Sequence, residues 1–338
     1  MIDTKKLNVV GIPWHTAHQF ELSKMFKSYD HLMNHYREWG EISRPVPENM
    51  KIVLEFDRSK YDLAILHVDQ QCIDPSNNKG KLFREFEELT RGMPRVVINH
   101  MTPYDDKLEF DECVNGMKEL VGDIPMVVNS KTAAAQWGWG HPIIHGINPE
   151  EWFDLPKEPR VVTSLSTGGM NKAYGREMLH VTIDLLRERG HDLQWIQATV
   201  RPKSWEAYRD YIGRSLVYFH PAYQSPMPRS RTEAMMSGAC IVSTRYQDWG
   251  DYIVDENGKS YSELYPEEKG VFPVFQGVNG FIVPNNPHSA ADLIAELLTT
   301  RIKEAREIGQ RGKEFAKKTF HSDRWMKDWA DFLEGVMK

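Results

Sequence analysis

At 338 residues, 41% hydrophobic and 27% charged, the chain is long enough for two domains with separate cores and has the composition of a soluble globular protein. Its formal net charge of −6 argues against a general binder of nucleic acid or anionic membrane, while leaving room for a local basic groove. Cys72, Cys113 and Cys240 are few, odd in number and dispersed, which argues against a disulfide scaffold and for a reducing compartment. No Cys/His spacing suggests a structural zinc site. No apolar run approaches the length that spans a bilayer. The opening MIDTKKLNVVGI is unlike a signal peptide, so the expected location is the cytoplasm. Ten tryptophans are many for this length; most are read as packing residues, with sugar-binding faces as the second use.

In chain order, Leu7 to Ile12 reads as a short buried strand. It leads into Pro13-Trp14-His15-Thr16-Ala17-His18 and an amphipathic helix from Phe20 to about Trp39. His15 and His18 either contact a ligand or serve the helix, one as a cap and one as packing. Ile52 to Phe56 and Leu63 to His67 read as strands. The second runs out through His67, Val68 and Asp69, at a strand's carboxyl end, where α/β proteins place ligands. Lys81 to Arg91 is a helix, and Pro94 to Asn99 a strand that delivers His100. Asp105 and Asp106 are expected in the first turn of the next helix, where acids suit the dipole. Met126 to Asn129 is a strand with a helix from Ser130. An apolar strand then meets Gly146, which permits a tight turn. The polar stretch Pro156-Lys157-Glu158-Pro159 reads as a linker, so the domain boundary is expected at 155/156.

Arg160 to Leu165 opens a second alternation of strands and helices. The loop Ser166-Thr167-Gly168-Gly169-Met170-Asn171-Lys172 precedes a helix beginning near Tyr174. Glycines and a lysine before a helix suit an anion; an ordinary surface turn is the other reading. Leu193 to Ala198 is a strand and Trp205 to Ile212 a helix. Tyr218 to Thr244 (YFHPAYQSPMPRSRTEAMMSGACIVST) then reads as strand, loop, helix, strand. Ser230 or Thr232 is expected to cap the helix, with Glu233 in its first turn and Gly238 ending it. Arg229 and Arg231 add positive charge to a helix N-terminus that faces the carboxyl edge of parallel strands. A carboxylate there would repel a diphosphate, so Glu233 is read as the acceptor for a ribose diol, or else as a first-turn acid favoured by the dipole alone. In Gly277 to Val283, Asn279-Gly280 precedes an apolar strand. Ala290 to Leu298, Lys303 to Lys318 and Ser322 to Met337 are amphipathic helices, the last rich in tryptophan.

The stretch from 218 to 244 resembles the nucleotide-sugar site of the GT-B glycosyltransferases, most of all the retaining family 4 group. Glu233, Ala234, Met235, Gly238 and Ile241-Val242 match the second half of that family's paired-glutamate motif. The first glutamate falls on Ser225, so that half is absent. The resemblance implies an α/β chain of GT-B fold, two Rossmann-like domains facing across a cleft. Residues 1–155 would form the acceptor-side domain and 156–320 the nucleotide-sugar domain, with 321–338 a helix crossing back. It further implies that Glu233 binds ribose, that His100 lies near the donor sugar, and that Lys172 neutralises the diphosphate. The arginine upstream of Lys172 is missing, and Arg176 is its candidate replacement. For His100 the alternatives are a helix cap or a buried structural histidine.

The expected activity is transfer of a sugar from a nucleotide diphosphate sugar to an acceptor hydroxyl. The resemblance implies retention, and a UDP-sugar is favoured over a GDP-sugar. His100, Lys172 and Arg229 are the catalytic candidates. Glu233, Ser230, Arg231, Thr232, Gly168, Gly169, Arg176 and Ser225 are the donor-binding candidates. No metal and no cofactor is expected. The acceptor could be a saccharide, a lipid-linked glycan or a hydroxymethylated DNA base, the last needing a basic groove; Lys203, Arg209, Arg214 and the 306–318 helix are the candidates for it. A nucleotide-sugar epimerase and a non-catalytic sugar-nucleotide sensor are the rival classes. Oligomeric state is left unassigned.

Overall fold

The computed structural model describes residues 2–32, 39–41, 43–103, 107–163, 175–191, 193–195, 203–222, 227–244, 274 and 276–338. The chain divides into two compact units, Met1–Gly146 together with Ser322–Lys338, and Ile147–His321.

Unit 1 is built on a seven-stranded sheet ordered β3-β2-β1-β4-β5-β6-β7. Its strands are β1 (Asn8–Gly11), β2 (Ser28–Leu32), β3 (Met50–Val53), β4 (Leu63–Val68), β5 (Arg95–Asn99), β6 (Met126–Val128) and β7 (His141–Pro142). Every pairing is parallel. A parallel sheet needs both faces covered, and alternate residues of the strands serve the two faces. Val10, Leu66 and Val97 meet α2 (Asn78–Leu89) and α3 (Phe110–Val121) through Leu82, Phe83, Phe86, Cys113 and Met117. Val9, Ile65 and Ile98 meet α1 (Thr16–Ser23) and the last helix, α10 (Ser322–Val336), through Phe20, Leu22, Trp325, Trp329 and Leu333. Among the described residues the other α-helix of this unit is α4 (Lys131–Trp137).

The apolar residues of α10 recur every four positions, which puts them on one face. That helix lies so close to the chain at Gly146 that an added Cβ there would stand 2.5 Å from the Trp325 Cβ. Arg324 fixes the approach by donating to the Ile144 and His145 carbonyls.

Unit 2 carries a five-stranded parallel sheet ordered β12-β11-β10-β8-β9. Its strands are β8 (Glu158–Thr163), β9 (Leu193–Trp195), β10 (Ser215–His220), β11 (Cys240–Thr244) and β12 (Gly280–Val283). Its helices are α5 (Arg176–Glu188), α6 (Trp205–Arg214), α7 (Arg229–Met236), α8 (Pro287–Leu298) and α9 (Ile302–Thr319). Val217, Phe219, Cys240 and Val242 pack against Leu179, Ile183 and Leu186 of α5 and Ile294 and Leu297 of α8. In both units the strand order reverses once, at β1/β4 and at β8/β10, and doubly wound sheets bind ligands beyond the carboxyl ends of the strands at such a reversal.

Three elements differ from the sequence reading. The helix expected from Phe20 to Trp39 stops at Ser23, because Asn49 donates to the Ser23 and Phe26 carbonyls and the chain turns back to pair Ser28–His31 with β1 as a strand. The helix after β5 begins at Phe110, behind a capping box of Glu109 and Glu112, so its first-turn acids are Asp111 and Glu112; Asp105 and Asp106 lie outside the described residues. Residues 147–155, assigned from sequence to the first domain, pack within unit 2. Trp152 meets Trp205 edge-on at 5.3 Å, Arg209 lies over Phe153 and the Leu155 amide donates to Gly213.

Candidate active-site residues in each unit

In unit 2 the short helix α7 is held at both ends. It opens after Pro228, which occupies the N-cap position with no side-chain cap bond. The expected caps Ser230 and Thr232 therefore sit inside the helix, and Glu233 lies past the first turn, where the dipole gives an acid little advantage. At the other end Gly238 takes a left-handed φ of 75°, and the Ala239 amide reaches back to the Ala234 carbonyl. The buried Lys157 ammonium donates to Gly213 and Ser237 carbonyls at the ends of α6 and α7. A cation suits that end of the dipole, and Asp154 pairs with it at 3.4 Å. Burial nonetheless pulls the Lys157 ammonium down to about 8.

So anchored, α7 presents Arg231, Thr232 and Glu233, all essentially inaccessible to solvent. The Tyr208 hydroxyl donates to Glu233 Oε2 at 2.8 Å. Tyr208 is itself fixed by stacking on Trp205 at 5.9 Å and by the edge of Trp152 at 6.1 Å. Ser230 Oγ accepts from the Tyr218 hydroxyl at 2.9 Å. A buried carboxylate is costly without such partners.

His220 ends β10 and is buried, and among the described residues neither of its ring nitrogens has a hydrogen-bond partner. Its ring stacks over Tyr218 at 6.4 Å. Burial, and then the Arg231 charge, hold it well below the usual histidine range. Its carbonyl accepts from Ser243 and Thr244 at the end of β11. From sequence, His220 falls within the stretch read as strand, loop, helix, strand and has no assigned role.

Arg176, the proposed substitute for the missing arginine, opens α5 and is exposed, with Nε 3.4 Å from His180 Nε2. Gly175 before it has φ 61°, and an added Cβ would collide with the Pro221 carbonyl. The start of α5 therefore abuts the chain leaving β10, which brings Arg176 to the same sheet edge as His220. Arg229 is the first, half-buried residue of α7. Lys172, Gly168, Gly169 and Ser225 lie outside the described residues.

In unit 1 the carboxyl edge of the sheet holds a cluster of histidines. β4 delivers His67, β5 delivers His100, and the start of α1 delivers His15 and His18. His67 Nδ1 lies 2.9 Å from His100 Nε2. His15 meets His100 edge-on at 4.7 Å and His18 does so at 5.1 Å. Trp14 stacks near both inner histidines, and Lys79, paired with Asp69, lies over the Trp14 ring at 5.3 Å. Burial first, then the neighbouring histidines and, for His100, Lys79, hold His67 and His100 well below the ordinary histidine range, which favours their neutral forms at pH 7. His15 occupies the N-cap position of α1 without a side-chain cap bond, and His18 packs on His100 and Trp325. His100 caps no described helix: α3 is capped by Glu109. The sequence reading noted His67 only as a strand end; its bond to His100 joins two strand ends, which the sequence keeps 33 residues apart.

Among the described residues no three His, Cys, Asp or Glu side chains stand where they could share a metal ion. No described helix is long and apolar enough to cross a membrane.

No protein-family model and no curated protein matches the chain. Solved structures do. HepE of Anabaena in complex with UDP-glucose superposes with a TM-score of 0.66 at 12% identity, covering 97% of this chain and 100% of that one. Sucrose-phosphate synthase from Thermosynechococcus elongatus gives 0.62 at 11% identity, covering 98% and 99%. WaaG, a glycosyltransferase of lipopolysaccharide biosynthesis, gives 0.56 at 8% identity, covering 96% and 99%. Two parallel α/β sheets with a last helix returning to the first unit, matched end to end by these proteins, define the fold: it is the GT-B glycosyltransferase fold.

Proposed function

We propose that the protein is a glycosyltransferase that moves a sugar from a nucleotide diphosphate sugar, preferably a UDP-sugar, to an acceptor hydroxyl. The observation that carries this reading is Glu233: a buried carboxylate oriented by Tyr208, on a helix at the carboxyl edge of a parallel sheet. In this reading Glu233 accepts from the ribose hydroxyls of the donor. Charge that develops on the leaving diphosphate is met by the N-terminus of α7, by Arg229 and Arg231, and by Lys172 and Arg176 near the start of α5. His100 contacts the transferred sugar. No step runs through a metal or a cofactor. The preference for a UDP-sugar rests on HepE, whose structure holds UDP-glucose. Retention of the anomeric configuration rests on the Glu-Ala-Met motif alone.

A glycan or lipid-linked acceptor is favoured over DNA, because the arginines that a DNA groove would use have internal partners. Arg209 donates to Glu151 and lies over Phe153 and Trp205, Arg214 pairs with Asp210, and Arg311 donates to Val278 and Gly277.

The test is product analysis. The protein is incubated with a panel of UDP- and GDP-sugars and with saccharide, lipid-linked and hydroxymethylated-DNA acceptors, and products are read by mass spectrometry and anomeric NMR. Transfer from a UDP-sugar to a glycan with an axial-to-axial outcome is expected. Donor epimerisation without transfer, or tight binding with no turnover on any acceptor, would contradict the assignment.

A further inference from the structure

Four short hydrogen bonds in unit 1 set the direction in which its histidine pair donates. The Trp14 amide donates to Gln19 Oε1 at 2.7 Å, and Gln19 Nε2 lies 2.7 Å from the Ile12 carbonyl. Those two backbone groups leave the Gln19 amide a single orientation, with oxygen toward the N–H and nitrogen toward the C=O. The second hydrogen of Gln19 Nε2 faces His67 Nε2 at 3.1 Å. An amide nitrogen only donates, so His67 Nε2 holds a lone pair. The Tyr29 hydroxyl, 3.5 Å from the same nitrogen, approaches it as a second donor. A neutral imidazole has one N–H, which His67 must then carry on Nδ1. That N–H points at His100 Nε2, 2.9 Å away. His100 Nε2 is therefore also an acceptor, and the proton of His100 is left on Nδ1.

We propose that Gln19 and His67 are positioning residues whose relay fixes His100 as a hydrogen-bond donor through Nδ1, toward an oxygen of the transferred sugar. The proposal rests on the reading of His100 as the residue that contacts the sugar. Among the described residues nothing else bonds that nitrogen. The relay starts from backbone groups of the β1–α1 connection, so His100 keeps one tautomer without help from any ligand. A histidine free to exchange tautomers would present a lone pair there part of the time. A fixed donor suits a hydroxyl or ring oxygen and rejects an ammonium.

The test is a long-range 1H–15N spectrum of the full chain labelled at histidine, with the His100 signals identified by their loss in His100→Gln. At pH 7 without ligand, the wild type should show His67 and His100 as neutral Nδ1–H tautomers. An Nε2–H or imidazolium His100 overturns the relay, and this holds whether or not any variant folds. His67→Leu removes the donor, and His100 should move toward the commoner Nε2–H form. His67→Asn, whose Nδ2 stands where the imidazole Nδ1 stood, should restore Nδ1–H. An unchanged His100 tautomer in a folded His67→Leu also overturns the relay. Turnover supplies the other arm: His67→Leu should lower kcat about tenfold with the donor KM nearly unchanged, and His67→Asn should recover most of it. The expected tautomers with no loss of turnover would overturn the sugar-contacting reading of His100 rather than the relay.

Discussion

Tyr208 and Glu233 form the pair on which the donor site turns. A phenol that donates to one carboxylate oxygen both offsets the burial of the charge and fixes the plane of the carboxyl group. Tyr208→Phe keeps the stack on Trp205 and removes only that bond. It should lower stability by about 1–3 kcal/mol, the cost of a lost bond to a buried charged group. It should also weaken UDP-sugar binding severalfold, as measured by chemical denaturation and by calorimetry. Unchanged affinity would mean that Tyr208 serves the fold and not the ligand. At this scale the sequence was only half legible. Glu233 stood out through family resemblance and because a carboxylate there would repel a diphosphate yet suit a ribose diol, and His100 through family resemblance. Their partners were hidden. Tyr208 is 25 residues from Glu233 and lies on another helix, and no local pattern links a tyrosine on α6 to an acid on α7.

The short helix α7 owes its placement to contacts at its carboxyl end. Lys157 draws together the ends of α6 and α7, and Gly309 lets α9 approach so closely that an added Cβ there would collide with the Gly238 carbonyl. An added Cβ at Gly238 would stand 2.9 Å from Asp154 Oδ1, on a backbone with φ 75°. Gly238→Ala should therefore cost about 1–3 kcal/mol by strain and crowding together. Its midpoint in urea should fall with no change in slope; a midpoint equal to the wild type would show that the site relaxes freely. The end of α7 was readable from sequence because glycine after an apolar helix turn has a steric cause. Its start was not, since Ser230 and Thr232 look like caps, whereas Pro228 holds the N-cap position. The same limit explains α1: residues 20–39 carry a helical apolar pattern, and the side chain of Asn49, brought in by tertiary contact, ends the helix sixteen residues early by bonding Ser23 and Phe26.

Across the whole molecule, the order of strands and helices was legible except at β2, which read as part of a helix, because buried parallel strands read as short apolar runs between amphipathic helices. The return of the last helix to the first unit was expected from family resemblance, and its tryptophans show what the return achieves. Trp325 and Trp329 are buried in the core of unit 1 beside Phe20, Ile65 and Val127. Trp329→Ala should destabilise unit 1 by about 3–5 kcal/mol, as expected for truncating a buried aromatic, and should broaden or split the denaturation curve as unit 1 melts first. A single transition shifted by less than 1 kcal/mol would contradict that packing. The most direct measurement on the central claim is calorimetric titration of UDP-glucose into the wild type and into Glu233→Ala. Loss of charge-assisted bonds to the ribose predicts at least roughly tenfold weaker binding, about 1.5–3 kcal/mol, in a variant whose melting profile still shows a folded chain. Equal affinity in the two proteins would place the nucleotide elsewhere and remove Glu233 from the site.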